Sequence, residues 1–146
     1  FPDQNRYCLR REVVGEILDR LVSARLPMML SAESIGWEGI YDLLAEFPEL
    51  TAILTDIGRW GADRYFRPLM AHYPNVYLEI SSYLVDGGLE DLTAAVGAER
   101  ILFGTGFPES YHGGMMLALA GAEIPAAEKQ AIAAGNLERL LAEVKL

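Results

Sequence analysis

Short apolar runs alternate with longer stretches in which apolar residues recur at helical spacing, and this alternation organises the whole chain. Val14, Ile17, Leu18, Leu21 and Val22 share one face of a helix predicted from about Arg11 to Arg25. Pro27 then introduces Met28-Met29-Leu30 as a first strand, which turns small and polar at Ser31-Ala32-Glu33-Ser34. A second helix near Trp37 to Phe47 carries Ile40, Leu43, Leu44 and Phe47 at core spacing. Pro48-Glu49 ends it, and Leu50 to Thr55 reads as the next strand. The cycle repeats with a helix from about Ala62 to Tyr73 and a strand from Val76 to Ile80. Leu84 to Val96 is helical with a Gly87-Gly88 interruption, and Ile101-Leu102-Phe103 closes the strand series. Tyr111 to Ala120 predicts another helix. Ala126 to Val144 predicts a long alanine-rich helix or a pair, with Gly135-Asn136 as a break or a tight packing point.

Four apolar strands separated by helical crossovers define an α/β chain with a parallel sheet covered on both faces. Such units build either an open doubly wound sheet or a closed barrel. An eight-stranded barrel takes roughly 250 residues, so 146 residues supply about half of one. We therefore expect residues 1–146 to form a single domain that is half of a (β/α)8 barrel. Its two outer strands would be left with open edges, so the expected partner is a missing amino-terminal half or a second copy.

Composition narrows the function classes. A formal net charge of −9, with only Lys129 and Lys145 as lysines and no basic stripe, argues against nucleic acid and against anionic lipid. No apolar run reaches the roughly 20 residues that span a bilayer. Cys8 is the lone cysteine, which excludes an internal disulfide and a thiolate cluster and fits a cytoplasmic setting.

Five segments carry a family likeness. They are Leu26-Pro-Met-Met-Leu-Ser31, Phe47-Pro-Glu-Leu-Thr-Ala-Ile-Leu-Thr-Asp-Ile-Gly58, Tyr73-Pro-Asn-Val-Tyr-Leu-Glu-Ile-Ser81, Arg100-Ile-Leu-Phe-Gly-Thr-Gly-Phe-Pro108 and Ile132-Ala-Ala-Gly-Asn-Leu-Glu-Arg-Leu-Leu141. In that order the chain resembles the amidohydrolase-related (amidohydrolase-2) family of (β/α)8 barrels, which includes metal-dependent hydrolases and decarboxylases of aromatic acids. The resemblance implies a divalent metal at the carboxyl mouth of the barrel, held by histidines and an aspartate. Position by position, Ser31 stands where a histidine is expected after Leu30. Asp56 stands for the histidine two residues before Gly58, and Gly106 for the aspartate after Thr105. The early histidine-x-histidine pair has no counterpart in these residues. Serine is a poor zinc ligand and glycine offers none.

The expectation is thus a hydrolase-like or lyase-like barrel without its usual metal set, either catalytically silent or binding a small organic acid in the old mouth. No cofactor is expected, with zinc or manganese as the alternative. A remodelled hydrolase or decarboxylase and a partner-binding module are the competing readings. Residues just beyond strand ends are the candidates, because that end carries the site in such barrels. Asp56 and His112 are the catalytic candidates, and Glu33, Arg59, Ser81 and Thr105 the substrate-binding ones. Against these stand plainer roles: Asp56 pairing Arg59 or capping a helix near Trp60, and His112 solvated in the loop before Gly113-Gly114. Glu79, inside an otherwise apolar strand, is expected to form a structural ion pair with Arg59 or Arg100, or to face a helix. Ser81 and Ser82 lack a Gly-x-Ser-x-Gly elbow, so a nucleophilic triad is not expected.

Overall fold

The computed structural model describes residues 7–58 and 62–145. Its centre is a four-stranded parallel sheet in the order β1-β2-β3-β4, with β1 at Met28–Ser31, β2 at Ala52–Thr55, β3 at Val76–Glu79 and β4 at Ile101–Leu102. The register pairs Leu30 with Leu54 and Leu54 with Leu78. At the far edge it pairs Leu78 with Ile101 and Glu79 with Leu102. The connections are helical: α1 (Arg11–Ala24) precedes β1, and α2 (Ala32–Ile35) and α3 (Trp37–Glu46) join β1 to β2. Asp63–His72 forms α4 and Gly88–Val96 forms α5, each leading into the next strand. The α/β architecture and the four strands expected from the hydrophobic pattern are all present.

Alternation along each strand sends one set of side chains to each face. Leu30, Leu54, Leu78 and Ile101 are wholly buried on the outer face, where they meet Leu18, Ile40, Leu43, Phe66, Leu69 and Leu92 from the helices. Residues between them on the strands, Met29, Ile53, Tyr77 and Leu102, form the other face, which in a closed barrel would be the interior. The helices before β4 cover only the outer face, so the coverage of both faces expected from the sequence is unequal.

The carboxyl-terminal segment supplies what cover the inner face has. After α6 (Gly113–Gly121) come α7 (Ala126–Gln130), one wide π turn (Ala131–Gly135) and α8 (Asn136–Ala142). Gly135 keeps a helical backbone at φ −57°, so the expected break is a widening of one continuous helical path. That path wraps around the edge of β4. Ile132 is buried with the outer-face core, whereas Leu140 packs with Ile53, Tyr77 and Leu102 on the inner face. At the turn between the two faces, the Ile132 carbonyl accepts the Phe103 N–H at 3.0 Å. The buried Asn136 amide donates to the carbonyls of Ala98 and Ile101, both at 2.8 Å. The polar groups on the outer edge of β4 are therefore partly satisfied by this segment, a requirement for any buried edge. The segment ends near the start of β1, where Lys145 N–H donates to the Ala24 carbonyl.

Candidate functional site at the carboxyl ends of the strands

The carboxyl ends of β2, β3 and β4 frame an open cavity of about 420 Å³ on the inner face. Its walls are largely apolar, from Met29, Ile53, Leu102, Phe103, Phe107 and Leu137. Thr55, Asp56, Glu79, Ser81 and Thr105 add polar groups to the lining. An apolar slot with a few placed polar groups is the usual form of a small-molecule site.

Glu79 organises the polar end. It lies two residues after Tyr77, so it faces the same side of the sheet as that ring. Its Oε1 accepts the Ser81 backbone N–H at 2.8 Å, and its Oε2 accepts the Ser81 hydroxyl at 2.7 Å. Ser81 is buried. The loop after β4 makes room: a Cβ at Gly104 would overlap Glu79 Oε1, so only glycine leaves space for this carboxylate. Gly106, at φ +67°, sits against Ser81 and Ser110, where a Cβ would stand 3.4 and 3.2 Å from theirs. Burial pushes the Glu79 carboxyl above the ordinary glutamate range. The two hydrogen bonds from Ser81 pull it down, and the charge of Asp56 adds to the rise.

Asp56 follows β2 directly and adopts φ +49°, a left-handed conformation that non-glycine residues reach at a cost. Its side chain is exposed at the cavity rim, with Oδ2 accepting the Thr55 hydroxyl at 3.4 Å. Thr105 turns its hydroxyl inward on its own loop, accepting the Phe107 N–H at 3.3 Å. Among the described lining residues two are acidic and none is basic.

Of the residues singled out from the sequence, the cavity therefore gathers Asp56, Ser81, Thr105 and Gly106. Glu33 lies exposed on α2 and is not part of the lining. Ser31 caps that same helix, its hydroxyl accepting the Ser34 N–H at 3.3 Å and donating to the Ser34 hydroxyl at 3.2 Å. His112 is exposed just before α6, its ring against those of Phe107 and Tyr111. Arg59, and with it the suggested pairing or capping by Asp56 near Trp60, lies outside the described residues. Of the two arginines suggested as partners of Glu79, Arg59 lies outside the described residues and Arg100 does not meet it. The Arg100 guanidinium instead donates to the carbonyls of Val96 and Met70. One acidic residue interrupting an apolar strand, with glycines in the loop after the neighbouring strand, was the available signal.

The profile of the amidohydrolase family matches residues 2–142, and the chain belongs to that family, in its amidohydrolase-2 branch. Among solved structures, an uncharacterised TIM-barrel protein from Bordetella bronchiseptica aligns with a TM-score of 0.74 at 22% identity, over 93% of this chain and 52% of its own. A 2,6-dihydroxybenzoate decarboxylase from Rhizobium aligns at 0.63 and 18% identity, over 85% of this chain and 53% of its own. An amidohydrolase 2 from Bifidobacterium longum subsp. infantis aligns at 0.62 and 16% identity, over 84% and 52%. At these identities the likeness is one of fold: parallel βα units of a TIM-type barrel. The chain spans about half the length of these structures. No curated protein matches it. Among the described residues no helix is long and apolar enough to cross a membrane.

Proposed function

We propose that the mouth cavity is a small-molecule site that takes a small organic acid, aromatic by preference, without the metal set that the family resemblance implies. The residues at the three expected ligand positions do not fit an ion. Ser31 spends its hydroxyl on a helix cap, Gly106 has no side chain, and Asp56 alone retains a ligand atom. Among the described residues no group of three or more His, Cys, Asp or Glu is placed to hold a metal. The family's metal chemistry therefore enters no step of this reading.

The observation that carries the proposal is the Glu79–Ser81 assembly pressed against Gly104. An organic anion entering an acidic slot needs a proton between itself and the nearest carboxylate. Burial holds that proton on Glu79 at a higher pH than an exposed glutamate would. Protonated Glu79 then donates to the ligand carboxylate while Ser81 fixes its orientation. Ile53, Leu102, Phe103 and Leu137 flank a flat ring. Support also comes from a fold neighbour of 18% identity and TM-score 0.63, a 2,6-dihydroxybenzoate decarboxylase complexed with 2,6-dihydroxybenzoate. Among the described lining residues, Glu79 is the group held toward its protonated form, and the reading is one of binding rather than turnover.

Calorimetric titration of chelator-treated protein with 2,6-dihydroxybenzoate at pH 5.5 and pH 8 tests it. Saturable one-to-one binding is expected, tighter at the lower pH, since the bound state holds a proton on Glu79 that the free protein loses as pH rises. Binding that appears only after zinc or manganese is added, or that ignores pH, refutes the proposal.

A further inference from the structure

The chain leaving β3 is held from both sides of the sheet. Just past Glu79, the Ile80 N–H still reaches the Leu102 carbonyl at 3.1 Å, and the Tyr83 N–H then returns to the Ile80 carbonyl at 2.9 Å. Ser81 and Ser82 are therefore the central residues of a hydrogen-bonded turn. On the inner side Ser81 gives both its donors to Glu79. On the outer side Ile80 and Tyr83 are buried in the core that includes Phe66. The turn is held against a cost, because Ser82 Oγ is buried without a partner among the described residues.

Tyr83 does not line the mouth cavity, yet its hydroxyl is tied down. The ring stands edge-on to Phe66 of α4, with centroids 5.8 Å apart. The hydroxyl donates to Asp63 Oδ1 at 3.0 Å and accepts from Arg67 Nη2 at 3.4 Å. Arg67 also donates to Asp63 through Nε at 2.8 Å and reaches Asp91 on α5. Gly88, at the start of α5, leaves the ring its space: a Cβ there would stand 3.0 Å from Tyr83 Cε1 and 2.8 Å from Val85 Cβ. Two glycines, Gly104 on one side and Gly88 on the other, thus make room for the two side chains that hold one turn. A phenylalanine would fill the same apolar space, so the hydroxyl adds direction rather than bulk.

We propose that Tyr83 is a positioning residue of the mouth site, its hydroxyl fixing the turn that aims the Ser81 hydroxyl and N–H at Glu79. The proposal rests on the reading of the cavity as a binding site, and Tyr83 itself touches no ligand there. Without the hydroxyl the ring still packs, but the turn loses its polar tie to α4, and Ser81 parts from Glu79 more readily.

Amide exchange of the whole chain followed by NMR, comparing the parent with Tyr83→Phe, tests this. Exchange at Ser81 should be about tenfold faster in the variant, while exchange at Leu54 and the urea midpoint stay as in the parent. Affinity for 2,6-dihydroxybenzoate should fall about fivefold. Gly88→Ala, which displaces the ring with its hydroxyl intact, should speed Ser81 in the same way. Unchanged exchange at Ser81 in Tyr83→Phe overturns the proposal, and so does an acceleration that Leu54 shares. The exchange readout needs no ligand. A parent that binds no 2,6-dihydroxybenzoate, with Ser81 responding as expected, therefore sinks the binding reading and leaves the placing of Ser81 by Tyr83 standing.

Discussion

The two faces of one sheet follow opposite rules. On the outer face Leu30, Leu54, Val76, Leu78 and Ile101 are aliphatic residues at zero exposure, packed against the connecting helices. On the inner face, one residue along from each of these, the strands carry Met29, Ile53, Thr55, Tyr77, Glu79 and Leu102, a mixture of bulk, hydroxyl and charge. The terminal helix covers the start of that face and leaves the carboxyl ends open. The same backbone thus holds a stability surface and a candidate binding surface a single residue apart in register. Fold and site are separable here, and substitutions can be aimed at either.

The sharpest contrast comes from the outer face. Leu54→Ala should cost about 3 kcal/mol of stability, read by urea denaturation, because a fully packed aliphatic position cannot collapse around the void. Asn136→Ala should follow at about 2 kcal/mol, since it strands two buried carbonyls at the β4 edge. If Leu54→Ala behaves like a surface change, the outer-face core is wrongly placed, and if Asn136→Ala does, the wrap of the terminal segment is.

Substitutions on the inner face should act on the site more than on the fold. Gly104→Ala should destabilise by about 1–2 kcal/mol by driving a methyl group into the Glu79 carboxylate. Combining it with Glu79→Ala should recover most of that loss, a coupling that a general backbone effect would not show.

Glu79→Gln carries a pH signature. The native state holds the Glu79 proton more tightly than the unfolded chain does. Its contribution is therefore fully present below the ordinary glutamate pKa and is lost as pH rises through the raised native value. The glutamine variant should accordingly melt about 2–4 °C above the parent at pH 8, and gain least at pH 4. His112→Ala, at an exposed loop position, should change stability by less than about 0.5 kcal/mol and leave ligand affinity untouched. A large effect there would return His112 to the site.

The parts legible in the sequence are those with local causes. Leu26-Pro-Met-Met-Leu and Arg100-Ile-Leu-Phe declare strands through apolar runs bounded by breakers, and helical spacing declares α1, α3 and α4. Asp56, Ser81 and Thr105 were found because residues just past strand ends converge in any parallel sheet of this kind. Glu33 shares that position in sequence, yet β1 passes straight into a helix that turns it to solvent. Glu79 escaped because its role depends on register: pairing with Leu102 sets it against Gly104, which no local pattern announces. The terminal wrap escaped for a similar reason. Ala126 to Val144 reads as a long alanine-rich helix or a pair, and neither reading shows that Ile132 and Leu140 serve opposite faces of the sheet on either side of a π turn.

The claim that Glu79 keeps a proton for an incoming acid is tested most directly by following its side-chain carboxyl by NMR across pH, with and without 2,6-dihydroxybenzoate. The account predicts a midpoint above the ordinary glutamate range in the free protein, moving higher again with ligand. A midpoint in the ordinary range that the ligand leaves unmoved would contradict it.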